Sequence, residues 1–195
     1  MKAKSIIILA MLAILVTYVT SVNNGFVTAE ESVESAWAQV ENQYQRRADL
    51  IPNLVNTVQG AANFEQETLQ SVIEARSRAT SITLQANDLN DPAKIQQFQA
   101  AQEQLSGALS RLLVSVERYP ELKANANFRD LQAQLEGTEN RITTERKRFN
   151  DTARQYNIEI RKFPGSLIAS ILGFNRKAYF EANEGAEQPP IVDFE

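Results

Sequence analysis

The apolar positions fall into two regimes. From Ser5 through Ala29 there is no charged residue, and Ile6 to Val22 is a strongly apolar run. As a helix rising about 1.5 Å per residue, that run covers about 26 Å, close to the thickness of a hydrocarbon core. Thr17, Thr20 and Ser21 are tolerable there because hydroxyls bond back to helix carbonyls. Residues 1–29 are therefore expected to be an N-terminal membrane anchor, meeting the bilayer through residues 5–22. A cleaved leader is the rival, since Val27-Thr28-Ala29 has the small residues of a cleavage site. The apolar run exceeds the ~7–15 residues usual for a leader, and the site lies well beyond it, so retention is expected. Lys2 and Lys4 precede the run and Glu30, Glu31 and Glu34 follow it. Positive flanks stay in the cytoplasm, which puts the remaining domain on the periplasmic or extracellular side.

Beyond this segment the pattern is helical and amphipathic. Val33, Trp37, Val40 and Tyr44 step by 4, 3 and 4, giving one apolar stripe that can continue directly from the anchor. Pro52 lacks a backbone donor, so a kink or restart is expected near Leu50–Asn53. Leu54, Val55, Val58, Ala61 and Ala62, then Leu69, Val72, Ile73 and Ala79, read as a second segment that stops at Asn87–Pro92. Ile95, Phe98, Gln102, Leu105, Leu109, Leu112 and Val116 make a third, with Gln102 as its polar member, ended by Tyr119-Pro120. In the fourth, Phe128, Leu135, Ile142, Phe149, Tyr156 and Phe163 recur every seven residues. A strict seven-residue repeat implies left-handed, coiled-coil-like packing, and its aromatics are expected to be core. Phe163, beside Pro164, has Leu167 and Ile168 as an alternative contact.

Long segments with short connections give an all-α, antiparallel up-down bundle of about four helices over residues 30–163. After Phe163-Pro164-Gly165 comes a short apolar run, Leu167 to Leu172, too short to span a bilayer. It can cap the bundle, lie at the membrane surface or meet a partner. Residues 164–195 thus read as a short apolar helix and a flexible acidic tail, in which Ile191, Val192 and Phe194 offer a docking element.

Composition narrows the chemistry. There is no Cys and no His, which removes thiolate nucleophiles, disulfides, soft metal sites and the commonest neutral-pH base. A net charge of −4 without a basic stripe argues against nucleic acid. No phosphate loop, nucleophile elbow or metal motif occurs, so neither a catalytic residue nor a cofactor is expected. Arg46, Arg47, Asp49 and Asn53 are the densest polar cluster, readable as a partner contact or as a solvated face. Gln102 and Glu145 fall on inward seams and are candidate buried polar groups, Glu145 needing a partner there.

The stretch Ala36-Trp37-Ala38-Gln39-Val40-Glu41, followed by Arg46-Arg47-Ala48-Asp49-Leu50-Ile51-Pro52-Asn53-Leu54-Val55, resembles the signature block of the LemA family. The ending is similar too, at Phe163-Pro164, Ile168-Ala169, Gly173-Phe174, Tyr179-Phe180-Glu181 and Val192-Asp193-Phe194. Two departures stand out: Asn23-Asn24 where the family often has Tyr-Asn, and Phe64-Glu65 where it often has His-Glu. The resemblance implies a single-pass bacterial membrane protein with a helical bundle and no assigned enzymatic activity. The function expected is a protein-interaction or envelope-organising scaffold, with a protein partner or a homo-oligomer. A sensor that holds a small ligand between helices, near Gln102 and Glu145, is the alternative.

Overall fold

In a computed structural model, residues 2–60 and 64–181 are described, and among them there is no strand. Helix α1 runs unbroken from Lys2 to Gln59 and is about 87 Å long at the usual rise. Its first part projects away from everything else, and an 18-residue window with mean hydropathy 2.4 has none of its residues buried. Its second part is the first helix of the bundle. The chain then forms α2 (Gln66–Ser81), a 3-10 turn (Ala86–Asn90), α3 (Pro92–Val116), short α4 (Pro120–Ala124), α5 (Ala126–Glu159) and α6 (Gly165–Leu172). Gly173 closes α6 in a left-handed conformation (φ 84°), a region where a side chain would be strained.

The helices alternate up and down. Along α1 and α5, Phe26 lies beside Gly165, Trp37 meets Phe149, and Arg47 reaches Glu139, so this long pair is antiparallel. Helices α2 and α3 are likewise antiparallel, joined by Glu65 to Arg118 at one end and by Ala79 to Gln102 at the other. Asp91 caps α3 by accepting from Ala93 N, with Pro92 in the first turn. Asn125 caps α5 by accepting from Phe128 N at 3.2 Å.

Of the kink or restart expected at Pro52, the restart does not occur: α1 runs on through it. A proline at 52 leaves the carbonyl four residues earlier without its helical donor. That carbonyl belongs to Ala48, and Arg76 Nε of α2 donates to it at 2.8 Å. The proline ring faces solvent, and the tertiary bond takes the place of the missing one. The break falls later: α1 ends at Gln59, Gly60 lies in a turn, and the expected second segment is divided there. Ala61 and Ala62 lie outside the described residues.

Of the seven-residue ladder, Phe128, Leu135, Ile142, Phe149 and Tyr156 are buried. Phe163 is not core: it is 82% exposed, because α5 ends at Glu159 and the ladder has no helix to ride on. The packed body is also wider than residues 30–163. Phe26 is buried at its start, and Ala169, Lys177, Ala178 and Phe180 are buried at its end.

Candidate functional site

The core is divided in two by a polar layer. One apolar cluster holds Phe26 to Tyr44 of α1, Ile95 and Phe98 of α3, and Ile142 to Tyr156 of α5. The other holds Ile51 to Val58, α2, Leu105 to Val116, and Phe128 with Leu135. On every long helix the change of cluster falls at one level, and Arg47 sits there, 1% exposed.

Arg47 continues the α1 stripe: 33, 37, 40, 44, 47, 51, 54 and 58 step alternately by 4 and 3. Its guanidinium therefore points inward with a charge that burial penalises unless it is paired. The pairing is extensive. Nη1 donates to Ser106 Oγ at 2.8 Å and to Glu139 Oε2 at 2.9 Å. Nη2 donates to Gln102 Oε1 at 2.6 Å and to Gln102 O at 3.3 Å. Gln102 Nε2 in turn donates to Ala79 O at 3.1 Å, so the layer ties α1, α2, α3 and α5 together. The guanidinium carbon also lies 5.1 Å from the Tyr44 ring centroid. Burial raises the Tyr44 hydroxyl above its ordinary range, opposed by Arg146 and Arg47, and burial also raises the Glu41 carboxyl.

The sequence-derived candidates separate in space. Arg46, Asp49 and Asn53 are exposed on α1, where Asp49 accepts from Gln45 Nε2 at 2.8 Å. Arg47, grouped with them from its neighbours, is instead the centre of the buried layer. Gln102 is buried and joins it. Glu145 does not: it is half-buried, 3.8 Å from Arg148, and its Oε2 accepts no hydrogen bond. A cavity of about 120 Å³ lies beside Gln102, lined by Glu41, Tyr44, Ala79 and Phe98 among others. Small-molecule sites usually run about 300–1,000 Å³, and here the Gln102 amide is already engaged on both ends. Leu167 is exposed, Ile168 packs partly on the first cluster, and Phe194 lies outside the described residues. Among the described residues no three Asp or Glu side chains converge as metal ligands would.

Sequence reasoning missed the segment after α6. Residues 174–181 run as an extended strap along α5 and α3, read by side-chain amides. Asn157 accepts from Lys177 N and donates to Lys177 O, both at 2.8 Å, and Asn150 does the same with Phe180 N and O at 2.9 Å. Gln99 of α3 donates to Glu181 O at 3.1 Å, and Ala178 N donates to Leu89 O at 2.7 Å. Phe180 stacks on Trp37 with centroids 5.8 Å apart. Lys177, 3% exposed, pairs with Glu30 of α1 at 2.7 Å. A signal was present: Asn150 and Asn157 each follow a ladder aromatic by one position and are seven apart.

The model of the LemA family matches residues 36–194. The chain is similar to magnetosome protein MamQ 1 of Paramagnetospirillum magneticum, 28% identical over 201 residues, covering 95% of this chain and 74% of that protein. It is similar to magnetosome protein MamQ of Magnetospirillum gryphiswaldense, 28% identical, with 91% and 72% covered. Protein LemA of Metamycoplasma hominis is 24% identical over 161 residues, with 83% and 69% covered.

Proposed function

The chain belongs to the LemA family, and from that premise we propose that it is a membrane-tethered interaction scaffold. One observation carries the reading: a single helix, α1, is both the exposed apolar segment and a core element of the bundle. A flexible tether lets a domain wander, whereas a continuous helix transmits position and orientation. The bundle offers partners a surface while its interior is closed by the Arg47 layer and the strap. The relatives called magnetosome proteins are named for a location and not for a reaction, which accords with a role in organisation.

Retention of the segment fits the packing. Val27-Thr28-Ala29 lies inside α1, with buried Phe26 just before it and Glu30 just after. Phe26 meets Phe174 edge to face at 5.3 Å, and Glu30 neutralises Lys177. Cleavage after Ala29 would remove Phe26 from the core and set a new ammonium beside the Lys177 pair. Full-length protein should stay with membranes through carbonate extraction; a mature N-terminus at Glu30 would count against the anchor. The lysine and glutamate flanks favour a bundle outside the cytoplasm. Alkaline phosphatase fused after Glu195 should accordingly be active, and a stable but inactive fusion reverses the orientation.

The scaffold itself is tested by photo-crosslinking in native membranes from exposed Arg46, Asp49 and Asn53. A discrete crosslinked species, with another protein or a second copy, is expected. Uncrosslinked monomer alone at all three positions would overturn the reading.

A further inference from the structure

Among the described residues one apolar surface outside the anchor is left uncovered, and its place on the molecule says what covers it. Leu167 and Ile171 lie one turn apart on α6 and are 60% and 83% exposed, and Phe163, two residues before that helix begins, is 82% exposed. Leu172 is open as well, whereas Ile168 and Ala169, on the other side of α6, pack into the first cluster. The short helix is thus apolar on both faces, and among the described residues only one of them has a partner. Exposed large apolar side chains gathered on and just before one short helix are the kind of surface that marks an interaction site.

The position is fixed by α1. Phe26 Cζ lies 3.0 Å from where a Cβ on Gly165 would stand, and the Phe26 ring meets Phe174 just past α6. Phe26 is four residues beyond Val22, where the apolar run ends, so α6 is about 6 Å along the helix from that end. The interfacial layer on each side of a hydrocarbon core is about 5–8 Å thick. A helix tethered at this level is at headgroup depth. Charge agrees. Arg161 and Lys162 precede α6 and Arg176 follows it, all exposed, and among the described residues near this level these three cations outnumber the exposed carboxylates Glu31 and Glu159. Lys177 does not count, because Glu30 holds it in the interior. An apolar surface flanked by cations suits the interface of a bilayer that contains anionic lipid.

We propose that the exposed face of α6, Leu167 and Ile171, together with Phe163 just before it, inserts into the interface of the bilayer that α1 crosses, laying the bundle's end against the membrane. The inference rests on α1 spanning that bilayer. With two points of attachment, the bundle cannot swing about α1.

The lack of cysteine allows clean single-site labelling of the full chain. Ile171→Cys, Leu12→Cys in the apolar run and exposed Val114→Cys at the opposite end of the bundle would each carry an NBD fluorophore. The proteins are reconstituted in vesicles of phosphatidylcholine and phosphatidylglycerol with or without doxyl-labelled lipid. Emission from Ile171→Cys should be blue-shifted and quenched by doxyl lipid as at Leu12→Cys, with Val114→Cys unaffected. Quenching at Leu12→Cys with Ile171→Cys as water-exposed as Val114→Cys overturns the proposal and leaves the anchor standing. No quenching at Leu12→Cys removes the anchor itself. A label at Ile171→Cys that is blue-shifted but untouched by doxyl lipid overturns the proposal in favour of a second copy or another protein.

Discussion

The two halves of the bundle share α1, α3 and α5 but are filled differently. Beyond Arg47 the fourth place is taken by α2, and the core is aliphatic, with Phe128 as its fully buried aromatic. Nearer the apolar segment α2 has already ended at Ser81, so residues 82–91 and the strap 174–181 stand in for it. A helix with its side chains is about 10–12 Å across, whereas neighbouring extended chains lie about 5 Å apart. Thin chain leaves more space to fill, and large rings fill it: Trp37 contacts Phe98, Phe149 and Phe180, and Tyr44 contacts Phe98. Regular helix packing serves one end, while the other depends on aromatic mass and on side-chain amides that satisfy an irregular backbone.

The largest effects should come from the ladder, at both ends alike. Phe149→Ala and Phe128→Ala each remove a fully buried ring and should cost about 3–5 kcal/mol in urea melts of the full chain in detergent. Against a typical total of ~5–15 kcal/mol, the double change should approach unfolding. Phe163→Ala should stay within about 0.5 kcal/mol, since its ring packs on nothing in the bundle core. A loss below ~1 kcal/mol at Phe149 would mean that the membrane-proximal core is not tightly packed.

The joint between the halves comes next. Arg47→Ala strands the buried Gln102 side-chain oxygen and removes the bond to half-exposed Glu139, and the unmet acceptor alone costs about 1–3 kcal/mol, to which the lost packing of the buried stem adds. Gln102→Leu in that background should recover part of the loss, because the stranded side-chain oxygen is then gone, while Ala79 O gives up its bond to the amide. If the two changes simply add, the layer is not acting as one network.

Asn157→Ala separates the halves most directly. It deletes two bonds to Lys177 and one to the Tyr179 hydroxyl and leaves buried strap groups unpaired, at a cost of about 2–3 kcal/mol. Hydrogen exchange should quicken in the strap and the neighbouring 82–91 segment, with α2 and the distal part of α3 protected as before. Equal loss of protection in α2 would show that the two halves open as one unit.

How much of this was legible depended on whether a feature was periodic. The apolar segment, the α3 seam, the α5 ladder through Tyr156 and the Asp91-Pro92 start of α3 all follow from spacing and from local backbone chemistry. Arg47 was legible in principle, since the α1 stripe passes through it, but its neighbours Arg46 and Asp49 made it look like surface. Glu145 shows the converse, an inward phase that ends only half-buried. The persistence of α1 through Pro52 was not legible, because the donor that replaces the missing one comes from α2, 28 residues away. The strap was hidden for the same reason: an extended segment held by Asn150, Asn157 and Gln99 has no period of its own.

That reading of Pro52 has its own test. Arg76→Met should cost about 1–2 kcal/mol by leaving Ala48 O without a donor. In a Pro52→Ala background residue 52 regains its N–H, the helix can satisfy Ala48 O itself, and Arg76→Met should cost much less. Equal costs in the two backgrounds would mean that Arg76 contributes packing and not the replacement bond.

A small effect at neutral pH that sharpens the contrast under alkali concerns Tyr156. Burial, and secondarily the charge of Glu30, holds its hydroxyl above the ordinary tyrosine range, whose unfolded value is about 10. The hydroxyl donates to Asn175 O at 3.0 Å, so Tyr156→Phe should cost only about 1 kcal/mol near pH 7. Because the folded pKa is raised, the unfolded chain loses this proton first as pH rises. Stability from the group is complete below pH 10 and falls from there toward the folded pKa, by at most about 1.4 kcal/mol per pH unit. Tyr44, also buried near the apolar segment and raised in the same direction, adds to the fall. Strong alkali should therefore loosen the membrane-proximal half first. Urea midpoints at about pH 7 and pH 11 decide it: Tyr156→Phe should lose less than the parent between the two. Equal losses would mean that the Tyr156 hydroxyl ionises as readily in the fold as out of it. The buried bond to the strap would then be weaker than its geometry implies.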